Sequence, residues 1–90
     1  MVKANPDVRI VVLQRGWVVV GRYSEDGEKG QLDGASVIRF WGTNRGLGQL
    51  AISGPLSGTK LDPCPTVRFH LLTVIMTIDC EAQKWLKVVS

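Results

Sequence analysis

The chain has 90 residues, enough for one domain with a small hydrophobic core and too few for two domains. Apolar residues make up 44% and charged residues 21% of the sequence, a composition that excludes an intrinsically disordered chain. The net charge is +3, from 11 basic and 8 acidic residues, and the basic residues are scattered, which excludes the dense basic patch of a dedicated nucleic-acid-binding protein. We therefore interpret residues 1–90 as a single domain.

Closely spaced antiparallel strands are predicted in the first half of the chain. Two runs rich in β-branched and aromatic residues, 8–14 and 16–23, are separated by a tight break at Arg15-Gly16. Asp26-Gly27 is typical of a hairpin turn, and Gly21 within the second run predicts a bulge or a sharp bend.

Two further strands are predicted on either side of a second turn. Residues 28–32 form a polar returning strand, Asp33-Gly34 indicates the turn, and residues 36–41 form the next strand. In that strand the alternation of side chains places Val37, Arg39 and Trp41 on one face and Ile38 and Phe40 on the other. The first half of the chain therefore predicts four antiparallel strands.

A short helix is predicted after the fourth strand. Thr43 or Asn44 is suited to cap its start, and Gly54-Pro55 is suited to end it. The apolar residues at helical spacing, which are expected to hold the helix on the sheet, are Leu47, Leu50, Ala51 and Ile52.

The last third of the chain predicts a loop, an extended segment and a second helix. Residues 55–66 contain three prolines and one glycine and are predicted as loop. Residues 67–78 are predicted to be extended, and Asp79 is predicted to cap a final helix over residues 80–89. Together these elements predict an α+β fold: a strongly bent antiparallel sheet or small open β-barrel, with the strand spacing of SH3-like barrels, one short internal helix and a C-terminal helix.

The sequence pattern also predicts a compartment and the state of the cysteines. Residues 1–9 lack the apolar stretch of a signal peptide, and no run is long enough to span a membrane, so a cytoplasmic location is expected. Cys64 and Cys80 match no zinc-binding spacing and are expected to be free, buried thiols, with no metal and no cofactor. Whether the two thiols approach each other is left open by the sequence.

A ligand site is predicted where the fourth strand meets the short helix. A helix start offers free N–H groups to an anion, nearby glycines allow close approach, and an arginine in the first turn gains from a negative partner. An exposed tryptophan there can stack on a base or a sugar. The residues predicted to form this site are Arg39, Trp41, Asn44 and Arg45. The alternative is that Trp41 belongs to the core, Thr43 or Asn44 is only a cap, and Arg45 pairs with a surface carboxylate.

Catalytic chemistry is not indicated by the sequence. His70 lies in an apolar run without an adjacent nucleophile or acid and is interpreted as a hydrogen-bonded strand residue. Asp62 and Asp79 are expected in a loop and at a helix cap, so they do not suggest an acid-base pair. Residues 46–51 fit a relaxed dinucleotide-binding fingerprint, but the parallel βα repeats that such a site needs are missing. We expect a protein that is not an enzyme.

Residues 16–85 resemble a family of short uncharacterised proteins encoded mainly by bacteriophages and prophages. In that family an aromatic-rich strand ends in a tryptophan, followed by a small-residue and Asn turn, a short helix, a variable loop, and a β-rich stretch that ends in a cysteine. The matching residues are Trp41, Gly42, Asn44, Leu47, Leu50, Ala51 and Cys80. The family has no assigned activity, so the resemblance implies a phage or prophage source and a size class.

Two classes of function follow from these observations. The first is a non-enzymatic phage accessory protein that binds a small anionic, nucleotide-like ligand or a host protein, with an anti-defence role as one form of this function. The second is a small nucleic-acid-binding barrel that uses Trp17, Tyr23 and Trp41 as stacking residues. Open sheet edges and an amphipathic C-terminal helix with Trp85 also predict a homo-oligomer, unless Trp85 folds back onto its own sheet.

Overall fold

One antiparallel sheet and two α-helices make up the computed structural model, which describes residues 7–89. The elements in chain order are β1 (Val8–Leu13), a first 3-10 turn (Gln14–Gly16), β2 (Trp17–Asp26), β3 (Lys29–Phe40), α1 (Leu47–Ser53), β4 (Lys60–Pro63), β5 (Val67–His70), a second 3-10 turn (Leu71–Thr73), β6 (Val74–Asp79) and α2 (Ala82–Val89). The predicted α+β class, with a short internal helix and a C-terminal helix, is confirmed, and the six-stranded sheet is not closed into a barrel. The prediction about a signal peptide concerned residues 1–9, and residues 1–6 lie outside the described residues.

The long strand β3 organises the sheet. The strand order is β4-β3-β2-β1-β6, and β5 also pairs with β3. The first part of β3, at Lys29 to Leu32, pairs with β5, and its last part, at Ser36 to Phe40, pairs with β4. The second 3-10 turn then connects β5, which pairs with β3, to β6, which pairs with β1. One free edge is therefore formed by β4 and β5 and the other by β6.

The second predicted turn, at Asp33-Gly34, is wrong, because β3 runs through it as a β-bulge. Val20 pairs with Ser36 whereas Arg22 pairs with Asp33, so β3 contains one extra residue at this point. Gly34 adopts the left-handed conformation with φ 59°. The Asp-Gly dipeptide fits both a hairpin turn and a bulge, and pairing with one continuous β2 selects the bulge.

The glycine of β2 lies opposite this bulge. A Cβ atom on Gly21 would lie 3.0 Å from the carbonyl oxygen of Asp33 and 3.0 Å from the Cβ of Leu32. The predicted bulge therefore occurs at this level of the sheet, but its extra residue belongs to β3, and Gly21 is the residue of β2 opposite it. The extra residue also brings Leu32 and Ala35, three positions apart, into the same core cluster.

Both faces of the sheet are apolar, and each packs into its own core cluster. The cluster beneath the helices contains Val8, Ile10, Val18, Val20, Ile38, Leu50, Ala51, Ala82, Trp85 and Val89. The cluster on the other face contains Val11, Val19, Leu32, Ala35 and Phe69. Cys80 packs against the first cluster and Cys64 against the second, and both are free thiols. The open question about the cysteines is therefore answered, because the sheet separates them.

The two helices join each other as well as the sheet. Leu50 and Ala51 of α1 are buried, whereas Ile52, which was expected to help hold the helix, is 69% exposed. Trp85 of α2 is fully buried, and its indole Nε1 donates a hydrogen bond to the carbonyl oxygen of Ala51 at 3.1 Å. Trp85 thus folds back onto its own sheet. Neither described helix is long and apolar enough to cross a membrane.

Three predicted elements in the last third of the chain are corrected. The predicted loop over residues 55–66 contains β4, which forms because it pairs with β3. The extended segment over residues 67–78 is two strands interrupted by the second 3-10 turn. Asp79 is the last residue of β6, so it does not cap α2, which begins at Ala82. In each case a long-range strand pairing decides the local structure.

Candidate functional site

The segment between β3 and α1 holds most of the predicted site, but its helix begins later than expected. Gly46, with φ 82°, is the N-cap of α1, so the predicted cap at Thr43 or Asn44 is wrong. The Thr43 hydroxyl instead accepts a hydrogen bond from the Gly46 N–H at 2.9 Å and donates one to the Gly46 carbonyl at 3.0 Å. Arg45 therefore precedes the helix and does not lie in its first turn.

The backbone N–H groups expected to bind an anion are occupied by a side chain of the same segment. The N–H groups of Asn44 and Arg45 both donate to Oε1 of Gln49, at 3.1 and 2.7 Å. Gln49 is the third residue after the N-cap, a position from which glutamine commonly reaches back to free N–H groups. The sequence analysis did not predict a role for Gln49. Its position three residues after Gly46 in the sequence is the signal that indicates such a capping residue.

A shallow pocket lies beside these groups, on one side of α1. It has a volume of about 360 Å³ and is lined by Arg45, Gln49, Ile52 and Ser53. Within residues 7–89, no carboxylate lies within 4.0 Å of the Arg45 guanidinium, so the alternative that Arg45 pairs with a surface acid is wrong. The pocket therefore combines an unpaired cation, two polar side chains and one exposed apolar side chain.

Trp41 flanks the start of α1 and does not belong to the core. Its side chain is 43% exposed, and a Cβ atom on Gly46 would lie 3.7 Å from its ring. Its carbonyl oxygen accepts a hydrogen bond from the Thr59 hydroxyl at 2.7 Å. The next residue, Gly42, packs so closely on Gly58 that a Cβ atom would lie 2.3 Å from the Gly58 carbonyl carbon. The loop before β4 thus holds the tryptophan in place.

Arg39, the fourth predicted site residue, is engaged elsewhere. Its Nε lies 3.0 Å from Oδ2 of Asp62 in β4, and its guanidinium lies 5.8 Å from the centre of the Phe40 ring. Asp62 is a strand residue, where a loop residue was expected. Of the four predicted site residues, only Arg45 lines the pocket. The Trp41 ring lies near Gly46, and Trp41, Arg39 and Asn44 are not among the pocket-lining residues.

Tyr23, a predicted stacking residue, is covered by neighbouring side chains. The Arg9 guanidinium lies 4.1 Å from the centre of its ring, and the ring also contacts Phe69. Its hydroxyl donates a hydrogen bond to Oε2 of Glu25 at 2.5 Å. Of the three predicted stacking residues, Trp17 and Trp41 are the ones with large exposed rings.

Tyr23 is expected to ionise only at high pH in the folded protein. Burial of the ring and the hydrogen bond to Glu25 raise its pKa from the usual 10.0 to about 12. Because the folded-state pKa is the higher one, this stabilisation is complete below pH 10 and is lost as the pH rises toward about 12. Tyr23 is the only tyrosine, so the absorbance change of tyrosinate near 295 nm measures this pKa directly.

The urea-unfolded protein is the control for this titration and should ionise near pH 10. Replacing Glu25 with glutamine should lower the folded-state pKa only in part, because the burial of the ring remains. Equal midpoints in the folded and unfolded protein would contradict the described packing of Tyr23.

The groups considered for catalysis have structural partners. Nδ1 of His70 accepts a hydrogen bond from the Leu72 N–H at 3.1 Å, and Nε2 lies 3.5 Å from a carboxylate oxygen of Glu28, which confirms a hydrogen-bonded histidine. Burial raises the pKa of the Cys80 thiol to about 12, so it stays protonated at neutral pH. In the described part of the chain, no group of three or more His, Cys, Asp or Glu residues is placed to hold a metal ion.

Comparison with known proteins finds no protein-family model that matches the chain and no curated protein with significant similarity. The resemblance to phage and prophage proteins therefore stays a prediction from the residues quoted for it.

Proposed function

We propose that this chain is a non-enzymatic accessory protein of phage or prophage origin that binds a small anionic, nucleotide-like ligand in the pocket on α1. The observation that carries the proposal is the Arg45 guanidinium, which lines the pocket without a carboxylate partner in residues 7–89. A protein of this kind acts by sequestering its ligand in the host cytoplasm, and an anti-defence role is one form of that action.

The chemistry of the lining residues supports an anion with an apolar part. A guanidinium presents donors in a planar fork that matches a phosphate or a carboxylate. Gln49 uses its Oε1 for the backbone of Asn44 and Arg45, so its amide NH₂ is left to donate, as is the Ser53 hydroxyl. The exposed side chain of Ile52 offers an apolar contact to the ligand.

Replacing Arg45 with alanine is expected to weaken ligand binding by roughly ten- to a hundredfold, because a hydrogen bond to a charged group contributes about 1.5–3 kcal/mol. Native mass spectrometry of the protein purified from cells first shows whether a small molecule co-purifies. Calorimetric titrations with inorganic phosphate, a mononucleotide and a dinucleotide then measure the affinity of each variant.

The matched control is Arg68→Ala, which removes an exposed arginine on β5 that bonds to Gln31. This control should leave the affinity unchanged. Arg39→Ala tests the wider site predicted from the sequence, and we expect little effect because Arg39 is paired with Asp62. Absence of binding of every probe to the unmodified protein would contradict the proposal and direct the search to a host-protein partner.

A second candidate is single-stranded nucleic-acid binding, which the exposed aromatic side chains favour. Trp17 is 58% exposed at the start of β2, and Phe40 and Trp41 are exposed at the end of β3. Exposed rings of this kind stack on successive bases, and the net charge of +3 assists contact with phosphates. This function requires an affinity for single strands that falls with rising salt, so absence of binding at low salt excludes it.

A further inference from the structure

The outer edge of β6 is an exposed apolar strand edge that the proposed ligand site does not use. β6 is the last strand in the sheet order, so no described strand pairs with this edge. Its side chains are apolar except for Thr77 and the terminal Asp79, and Ile75 and Met76 are 59% and 50% exposed. A strand edge without lysine or proline readily pairs with another strand.

The opposite edge of the sheet is protected in the ways that natural sheets use. β4 carries Lys60 and Asp62 and ends at Pro63, and β5 carries the exposed Arg68. Charged side chains and proline prevent the addition of a further strand. β6 has one such feature, a register shift against β1 that makes Ile75 an extra residue, but it has no proline and no charged side chain before Asp79, so it is the less protected of the two edges.

The backbone N–H and C=O groups on the free edge of β6 are arranged to pair with another extended chain. The N–H of Cys80 donates to the carbonyl oxygen of Val8 at 2.8 Å, which directs the backbone groups of residue 80 toward β1. Because these groups alternate in direction along a strand, the N–H and C=O groups of Asp79 and Thr77 face the free edge. Another β-strand satisfies them, whereas a helix or a small molecule does not.

The charges at the two ends of β6 favour a second copy in the antiparallel direction. At one end Asp79 and the following Glu81 are acidic, and the Arg9 guanidinium near Asp79 is shared with Asp7. At the other end, Leu13 pairs with Val74, which places the exposed Arg15 of the first 3-10 turn beside the start of β6. Antiparallel pairing brings the acidic end of one copy to Arg15 of the other, and two-fold symmetry forms this contact twice.

We infer that two copies of the chain pair through antiparallel β6 strands, centred on Met76, to form one continuous sheet. In this register Met76 faces its own equivalent, Ile75 faces Thr77, and Val74 faces Ile78, so the apolar side chains of the two edges lie together. This pairing is independent of the ligand site on α1.

Analytical ultracentrifugation of the full chain over a range of concentrations tests the inference. We expect a particle of twice the 9.9 kDa chain mass, and we expect Ile75→Lys to dissociate it because a lysine is placed on the free edge. Ile52→Lys, which alters a similarly exposed isoleucine on α1, should leave the dimer intact. Circular dichroism confirms that both variants are folded. An unmodified protein that is monomeric throughout, or a dimer that Ile75→Lys leaves unchanged, overturns the inference.

A cysteine cross-link tests the register separately. In a variant with Cys64 and Cys80 replaced by alanine, Met76→Cys should form an intermolecular disulfide on mild oxidation. The two Met76 residues form a non-hydrogen-bonded pair, whose Cα atoms lie about 4.5 Å apart in antiparallel sheets, within disulfide range. Ile52→Cys in the same background should remain monomeric on a non-reducing gel. Equal cross-linking of the two variants, or none at Met76, overturns the proposed register.

Discussion

Replacing Trp85 with alanine is expected to destabilise the protein by about 3–5 kcal/mol, a large part of the total stability of a domain of this size. The indole is fully buried in the cluster that joins both helices to the sheet, so its removal leaves a cavity there. The substitution also removes the hydrogen bond to the carbonyl oxygen of Ala51. Urea unfolding followed by circular dichroism measures the change in free energy.

Two further tryptophan variants separate the causes of this effect. Trp85→Phe should cost less, about 1–2 kcal/mol, because the Ala51 carbonyl also accepts a hydrogen bond from the Glu81 N–H at 2.9 Å and so remains paired. Trp17→Ala, at an exposed position, should change the stability by no more than about 0.5 kcal/mol. Equal losses for Trp85→Ala and Trp17→Ala would contradict the described packing of α2.

Replacing Gly34 with alanine is expected to destabilise the protein by at least about 3 kcal/mol. The left-handed conformation costs about 1–2 kcal/mol for an alanine, and the new Cβ atom would lie 2.1 Å from the carbonyl oxygen of Val89. The C-terminal end of α2 must then move, which breaks the hydrogen bond from Arg22 Nε to that carbonyl at 2.8 Å. Urea unfolding again measures the loss.

The matched control is Gly48→Ala, on the exposed side of α1. No atom lies within 4 Å of a Cβ placed there, so this substitution should stabilise the helix by about 0.5–1 kcal/mol. Gly34→Ala and Arg22→Ala act on the same carbonyl of Val89. The double variant should therefore lose less stability than the sum of the losses in the two single variants. Strict additivity would show that the bulge and the end of α2 are independent.

Turns with a strong local preference were predicted correctly from the sequence. The hairpin turn at Asp26-Gly27 and the helix end at Gly54 are both observed, with φ 61° for Gly27 and φ 78° for Gly54. Each depends on a glycine in a conformation that other residues rarely adopt, so neighbouring residues suffice to identify it. Gly34 shows the limit of this reasoning, because its Asp-Gly dipeptide has the same preference in a bulge as in a turn.

The structure changes the composition of the candidate site that the sequence predicts. The sequence pointed to Arg45 and Trp41. In the structure Arg45 lines the pocket, whereas the Trp41 ring lies near Gly46 and is not among the lining residues. The sequence also pointed to free N–H groups, which are occupied because Gln49 folds back onto the segment before its helix. The pairing of Arg39 with Asp62 depends on β4, a strand that has little local preference to form.

The sequence by itself determined the α+β class, the hairpin turn at Asp26-Gly27 and the helix end at Gly54, because the periodicity of apolar residues and the turn glycines are local properties. Only the tertiary structure decided which edge β6 occupies, that β3 continues through Gly34, and that Trp85 joins the two helices. These features depend on contacts between residues far apart in the chain, for which short-range patterns carry no information. β6 becomes an edge strand only when the whole sheet is assembled. Its own six residues therefore do not specify that one of its edges is left without a partner strand.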